Sequence, residues 1–483
     1  MPGYGFGYGY GAVGHARRTP LTAGGGTPTP TPTPTPGTAL PALDAIVAHF
    51  DSAAIIPQAD DSALAQWDDS SGTGAHAAQA TSAKQPKYRT GGSGGRPYVE
   101  FDGTDDYLAI AAPGALGTAM DSRTYTVLAV VENAGGGDYA CIFGASIGGG
   151  SPWLWAGATN IGWAAVNNGG SVVPHGAGTG YMALGMVSDT AYSAVAGAST
   201  LMRNVYRGAI YNWNISQAAA TGSNAITIGA SSTGAAFRFK GRIYRIIVWN
   251  RPLTPAELMQ AEAYFNAAYS QTHPAVTLGR FLHLDGDSRT AGVGADGTQR
   301  LPYKLASSLG HPLGTYGVYA VGGALIAELI AKGGEVDAAA QALAGISPAI
   351  QHRLVYEEFF NSRLLAVGDK ATAGTMAYQT AQYLSARRAG MPANLKIMGQ
   401  SPMDHLAATS PQPTAWAAYI QANHAALGLD GLADVWASPL GGEDACPNAA
   451  PFAPWADGIH LTAAGQATQA AVIADACAAL AGW

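Results

Sequence analysis

Charge is scarce in this chain. Only 12% of the 483 residues are Asp, Glu, Lys or Arg, against 48% hydrophobic residues and 64 glycines. The folded surface must therefore be covered by small and hydroxylic groups rather than salt-bridge networks, and the composition is that of a globular chain, not a disordered one. The net charge is −7, from 25 basic and 32 acidic residues, and no Lys/Arg run occurs. That argues against a groove tracking nucleic-acid phosphates, so nucleic acid is not an expected partner. The three cysteines, Cys141, Cys446 and Cys477, have no C-x-x-C spacing and are too few for a disulfide framework. No H-E-x-x-H, Walker or EF-hand pattern is present, and neither a cofactor nor a metal is expected. No eighteen-residue apolar run exists, which excludes a membrane-spanning helix. The first residues lack a basic n-region followed by an apolar core, so no Sec-type signal is visible.

What is there falls into three textures. Residues 1–39 form a head and a linker: glycine alternates with Tyr4, Phe6, Tyr8 and Tyr10, and five Thr-Pro repeats then run from Thr27 to Pro36. Proline at every second position removes amide donors and favours polyproline II, giving a semi-rigid spacer of about 30 Å. Residues 40–271 show short β-type runs, such as Tyr125–Val130 and Ile243–Trp249, separated by Gly, Asn, Ser and Asp clusters; this is the pattern of a β-sandwich. The stretch closes on Thr254-Pro255-Ala256-Glu257, a capping box with proline at the first helical position, and predicts a helix to about Ser270.

Residues 278–483 alternate β-runs with Ala/Leu-rich helical runs. Strands are predicted at 280–284, 315–321, 352–358, 395–399 and 432–436, and helices at 300–309, 323–332, 371–389, 411–427 and 462–480. The pattern is that of a three-layer α/β segment with a doubly wound parallel sheet, whose ligands bind at the carboxyl ends of the strands. Three short stretches gather at such places. Gly286-Asp287-Ser288 follows the first strand, Asn361 follows the third, and Asp457-Gly458-Ile459-His460 precedes the last helix. Together they supply a hydroxyl nucleophile, an amide donor, an imidazole base and a carboxylate to orient it, which is the kit for acyl transfer.

These residues carry a resemblance. Gly286-Asp287-Ser288-Arg289-Thr290-Ala291-Gly292 with Leu301-Pro302-Tyr303, and Asp457-Gly458-Ile459-His460-Leu461-Thr462-Ala463-Ala464-Gly465, resemble the opening and closing blocks of the SGNH, or GDSL-type, hydrolases. The resemblance implies Ser288 as nucleophile, His460 as base and Asp457 as its orienter. It further implies an oxyanion hole made by the amide of Ser288, Gly323 and Asn361. Such donors are worth about 3–4 kcal/mol each to the transition state. The third block departs from the family's Gly-x-Asn-Asp, reading Phe359-Phe360-Asn361-Ser362. A catalytic base must be neutral, so activity is expected to fall in acid as His460 takes up a proton.

Each element also has a bland reading. Gly-Asp-Ser is an ordinary turn, and Asp457 could cap the helix that starts near Thr462. Gly144-Ala145-Ser146-Ile147-Gly148 and Gly292 to Gly297 match a nucleophile elbow and a dinucleotide fingerprint, but neither has the strand-then-helix context those motifs require. Trp455, Asp404 and His405 are further cleft-lining candidates, and Glu357 and Glu358 are unusual in a buried strand.

Trp67 to Gly72, Gln85-Pro86, Val99 to Leu108 and Phe239 to Glu257 resemble the laminin-G-like, concanavalin-A-like jelly rolls. The resemblance implies a glycan-binding or spacing role for that segment. Asp102, Asp105 and Asp106 read as an Asp-Gly turn rather than calcium ligands. The whole then reads as a carbohydrate O-acetylesterase acting on an acylated polysaccharide. The amino terminus resembles the attachment ends of bacteriophage tail proteins, which implies an extracellular or virion-associated location. Two alternatives stay open: a receptor-binding tail protein with a degenerate esterase fold, and a secreted lipase or arylesterase.

Overall fold

The computed structural model describes residues 39–135, 140–144, 153–156, 160–164, 171–174, 180–189, 201–214, 226–231, 236–292, 295, 299–320, 324–357, 362, 365–403, 412–440 and 460–483. The aromatic-glycine head and the Thr-Pro repeats lie outside them. All the described residues belong to one compact unit. The protein is mixed α/β, sheet-rich in its N-terminal part and alternating strand with helix in its C-terminal part.

In the N-terminal part, antiparallel strands build two sheets. Lys240–Trp249 pairs with Tyr125–Asn133, Tyr98–Asp102 and Ile46–Asp51 in one. Cys141–Gly144, Trp153–Ala156, Ile226–Ile228 and Leu108–Ile110 form the middle of the other. Side-chain alternation explains how they stack. Val127, Ala129 and Val131 of the central strand share a core cluster with Phe143, Leu154, Ile226 and Leu108 of the facing sheet. The intervening Leu128 and Val130 turn the other way, onto Leu258, Ala261 and Phe265 of the helix Pro255–Ala268. A strand covered on both faces is apolar along its length, as this one is. The helix starts where the sequence places it: the Thr254 hydroxyl accepts the Glu257 N–H at 3.3 Å, and the Glu257 carboxylate accepts the Thr254 N–H at 2.9 Å. A nine-residue helix at Gly114–Ser122 was not expected from the sequence.

The C-terminal part begins with strand β1 (Arg280–Gly286), helix α1 (Leu301–Ser308) and strand β2 (Tyr316–Val318). Helices α2 (Ile326–Lys332) and α3 (Gly334–Ile346) lead to β3 (Gln351–Glu357) and α4 (Met376–Gly390). Then follow β4 (Leu395–Gln400), α5 (Gln412–Leu427), β5 (Gly431–Ala433) and α6 (Ala463–Ala479). The five strands are parallel in the order β2-β1-β3-β4-β5. Alternate residues again face two layers. Val355 and Met398 join α1 and α6 in one core cluster, while Leu354 and Ile397 join α2, α4 and α5 in the other. A parallel bridge between Tyr211 and Val318 continues the parallel strands into the antiparallel sheet. No helix among the described residues is long and apolar enough to cross a membrane.

Candidate active site

The site is built on the turn that leaves β1. Gly286 is the last strand residue, with φ +154°, and a Cβ there would lie 2.0 Å from the Glu357 carbonyl oxygen on β3. Only glycine lets the two strands approach so closely before the chain turns. The Asp287 carboxylate then accepts the Arg289 N–H at 2.8 Å, and the Ala291 N–H bonds the Asp287 carbonyl at 3.0 Å. These bonds pin both sides of Ser288, which is left half-buried beyond the carboxyl end of the strand.

From the far end of the chain comes His460. It sits two residues before Thr462, whose hydroxyl accepts the Gly465 N–H at 3.4 Å and caps α6. His460 Nε2 lies 2.9 Å from Ser288 Oγ. At that separation a neutral imidazole takes up the hydroxyl proton, so the pair has the geometry of an activated serine.

Beneath the serine lie acidic groups. Asp287 is fully buried, and Glu357 and Thr290 are buried beside it. The Thr290 hydroxyl donates to Glu357 Oε2 at 3.2 Å, and the Glu357 carboxyl is hydrogen-bonded to that of Asp287. Burial pushes the Asp287 carboxyl up, opposed by the Arg289 charge, the Arg289 N–H and the bond to Glu357. The sequence singled out Glu357 and Glu358 without choosing between them; Glu357 meets the turn that carries Ser288, and Glu358 lies outside the described residues. Asp285, on the other face of β1, accepts the Tyr383 hydroxyl at 2.5 Å, and its carboxyl is also raised by burial.

Ser288 and His460 are thus brought together. Asp457, Gly323, Asn361, Trp455, Asp404 and His405 lie outside the described residues, as do Phe359 and Phe360. Ser362 is described: its hydroxyl accepts the Ile326 N–H at 3.1 Å at the first residue of α2. Ser362 therefore has a capping role at the start of α2. In the N-terminal part, Asp102, Asp105 and Asp106 bring carboxylate oxygens within 4.8 Å of one another. Their bonds are those of a turn, with Asp102 accepting the Thr104 N–H at 2.6 Å and Asp106 accepting the Asp102 N–H at 3.0 Å.

No protein-family model and no curated protein matches this sequence. Among solved structures it is similar to domain 4 of AbnA, a GH43 extracellular arabinanase from Geobacillus stearothermophilus, in complex with arabinotriose. That match has TM-score 0.29 and 14% identity and covers 45% of this chain and 98% of that one. A match to Trypanosoma rangeli sialidase in complex with sialic acid has TM-score 0.30 and 13% identity, covering 49% of this chain and 35% of that one. A third neighbour, a Bacteroides fragilis protein provisionally assigned as an acylhydrolase, has TM-score 0.29 and 14% identity, over 41% of this chain and 85% of that one.

Proposed function

We propose that the protein is a serine esterase of the SGNH type that removes acyl groups, chiefly acetyl, from a polysaccharide. The observation that carries this reading is the 2.9 Å approach of His460 Nε2 to Ser288 Oγ between groups 172 residues apart. The strand order β2-β1-β3-β4-β5, with the serine just beyond the carboxyl end of β1, supports a flavodoxin-like doubly wound layer as the scaffold. In this reading residues 278–483 are the hydrolase domain and residues 40–271 a jelly roll that binds or spaces the glycan.

His460 Nε2 takes the proton of Ser288 as Oγ attacks the ester carbonyl carbon. Negative charge gathers on the former carbonyl oxygen, where the Ser288 and Gly323 amides and the Asn361 side chain donate to it. As the intermediate collapses, the bond to the sugar oxygen breaks and His460 returns the proton to that oxygen. Water then repeats the cycle on the acyl-enzyme: His460 takes its proton, the acid leaves, and Ser288 is restored. Asp457 accepts the Nδ1 proton of His460 in a hydrogen bond and so holds the imidazole in the productive tautomer. The head and Thr-Pro spacer attach the enzyme to a virion, which places it outside the host cell against capsule or O-antigen.

The test compares wild type with Ser288→Ala on acetylated host polysaccharide and on p-nitrophenyl acetate. Acetate release by wild type and a loss of about 10³-fold or more in the variant are expected. A wild type that adheres to the polysaccharide but releases nothing would mean a binding protein on an esterase scaffold, the reading favoured by the altered third block. Turnover confined to aryl or lipid esters would remove the carbohydrate assignment.

A further inference from the structure

One buried side chain bonds both of the segments that carry the serine–imidazole pair. Gln466 lies in the first turn of α6, with its own N–H on the Thr462 carbonyl at 2.9 Å, and is only 1% exposed. Its Nε2 donates to the Leu461 carbonyl at 2.9 Å and to the Gly292 carbonyl at 3.1 Å. Its Oε1 accepts the Leu301 N–H at 2.7 Å, at the first residue of α1. Leu461 is the neighbour of His460. Gly292 ends the turn that carries Ser288, and Leu301 resumes the chain as a helix. The amide therefore ties the base segment, the nucleophile turn and α1 at a single point.

We propose that Gln466 is the positioning residue that sets the distance between Ser288 and His460; this rests on the esterase reading above. The pattern of partners specifies an amide. Two carbonyls face its nitrogen and one N–H faces its oxygen, a set that a carboxylate would meet with repulsion at the carbonyls and an alkyl chain would leave unpaired. The partner glycine is specified as well. Gly292 has φ +77°, and a Cβ there would stand 3.0 Å from Gln466 Oε1 and 2.8 Å from Arg300 Cβ. A side chain at that position would crowd the amide against α1. Proton transfer from hydroxyl to imidazole needs a heavy-atom separation near 3 Å, and an error of 1 Å at the reacting groups costs on the order of 100-fold in rate. Gln466 touches neither the substrate nor the reacting atoms, so its effect belongs in kcat rather than KM.

The experiment uses the full chain with Gln466→Met, of similar length but without hydrogen bonds, and Gln466→Asn, still an amide but one methylene too short. Kinetics on p-nitrophenyl acetate are read beside the His460 ring-nitrogen resonance in protein labelled at histidine, with Ser288→Ala as the reference for a broken contact. For either variant that keeps the wild-type circular dichroism spectrum, kcat should fall about 100-fold with KM within about twofold. The His460 signal should move toward its position in Ser288→Ala. A Ser288-dependent esterase in which both variants keep wild-type kcat and the wild-type His460 signal overturns the role of Gln466 and leaves the esterase reading standing. A wild type with no hydrolysis, whose His460 signal still follows Gln466, overturns the esterase reading and leaves the positioning role standing.

Discussion

At the floor of the nucleophile turn, the Asp287 carboxyl is buried against that of Glu357, with Thr290 bonded to the latter. A carboxamide can take the place of the Glu357 carboxyl by donating an N–H to the Asp287 carboxylate. Glu357→Gln should therefore keep kcat within about threefold of wild type, because the donor is retained. Glu357→Ala leaves a buried carboxyl without its partner and should cost about 1–3 kcal/mol in urea unfolding, together with a roughly 10–100-fold loss of kcat. Equal damage from both substitutions would show that the bond to Asp287 is not what matters. The meeting of Ser288 with His460 was legible in the sequence because each sits in a short local motif. Glu357 was half legible, since a glutamate in an apolar strand is conspicuous but its face is not. Gln466 was invisible: its partners Leu301 and Gly292 lie 165 and 174 residues away, and nothing local marks a helix glutamine as an inter-segment tie.

Local chemistry fixes the elements where caps and periodicity agree. The helix Pro255–Ala268 has proline at its first position and the reciprocal Thr254–Glu257 bonds, all readable from four consecutive residues. Thr254→Ala should lower stability by about 1 kcal/mol in chemical denaturation and leave kcat on an aryl acetate unchanged, because the cap is remote in sequence and contact from Ser288. A stability loss below the error of the measurement would mean that solvent satisfies those amides as well as the threonine does. The helix α3 was not legible, for an equally physical reason. Gly333-Gly334 reads as a break, yet Gly333 keeps helical angles, φ −60° and ψ −17°, and α3 starts directly after α2. A side chain at Gly333 would collide with the Arg387 guanidinium, which reaches from α4 to the Asp337 carboxylate on α3, with Nε 2.9 Å from Oδ1. Gly333 makes room for that ion pair, which the sequence alone does not show.

Across the whole molecule, the change from β-rich to alternating texture near residue 271 was legible. The sheet that continues across it was not, because pairing Tyr211 with Val318 joins strands with no local signal for each other. An arginine bonds across the junction. Arg207 and Gly208, at φ +50° and +76°, form the two-residue turn between Leu201–Tyr206 and Ala209–Asn214. The buried Arg207 side chain bonds Glu262 at 2.5 Å, Asn266 at 2.8 Å and the Thr272 carbonyl at 3.0 Å. His273 completes the joint, its Nδ1 accepting the Ala275 N–H at 3.1 Å and its Nε2 bonding the Arg207 carbonyl at 2.9 Å. Those two bonds require the neutral ring with its proton on Nε2, since a proton on Nδ1 would remove the acceptor that caps Pro274–Leu278. Burial, the dominant cause, and the Arg207 charge accordingly hold the His273 imidazole down, to about 4, despite its bond to the Arg207 carbonyl. The sign follows from linkage. With the folded value below the unfolded one of about 6.5, the unfolded chain binds the extra proton in between, so this stability is complete above pH about 6.5 and is lost progressively toward pH 4. His273→Asn keeps a capping acceptor but does not titrate. Wild type should lose stability relative to this variant as pH falls from 7 to 4.5, by about 2 kcal/mol in urea unfolding at the two pH values. Because the comparison is between two proteins with the same carboxyl groups, proton uptake by the raised Asp285, Asp287 and Glu262 largely cancels from the difference. A gap that stays constant with pH would show that His273 does not enter the acid transition, leaving the joint to depend on Arg207 and its hydrogen bonds alone.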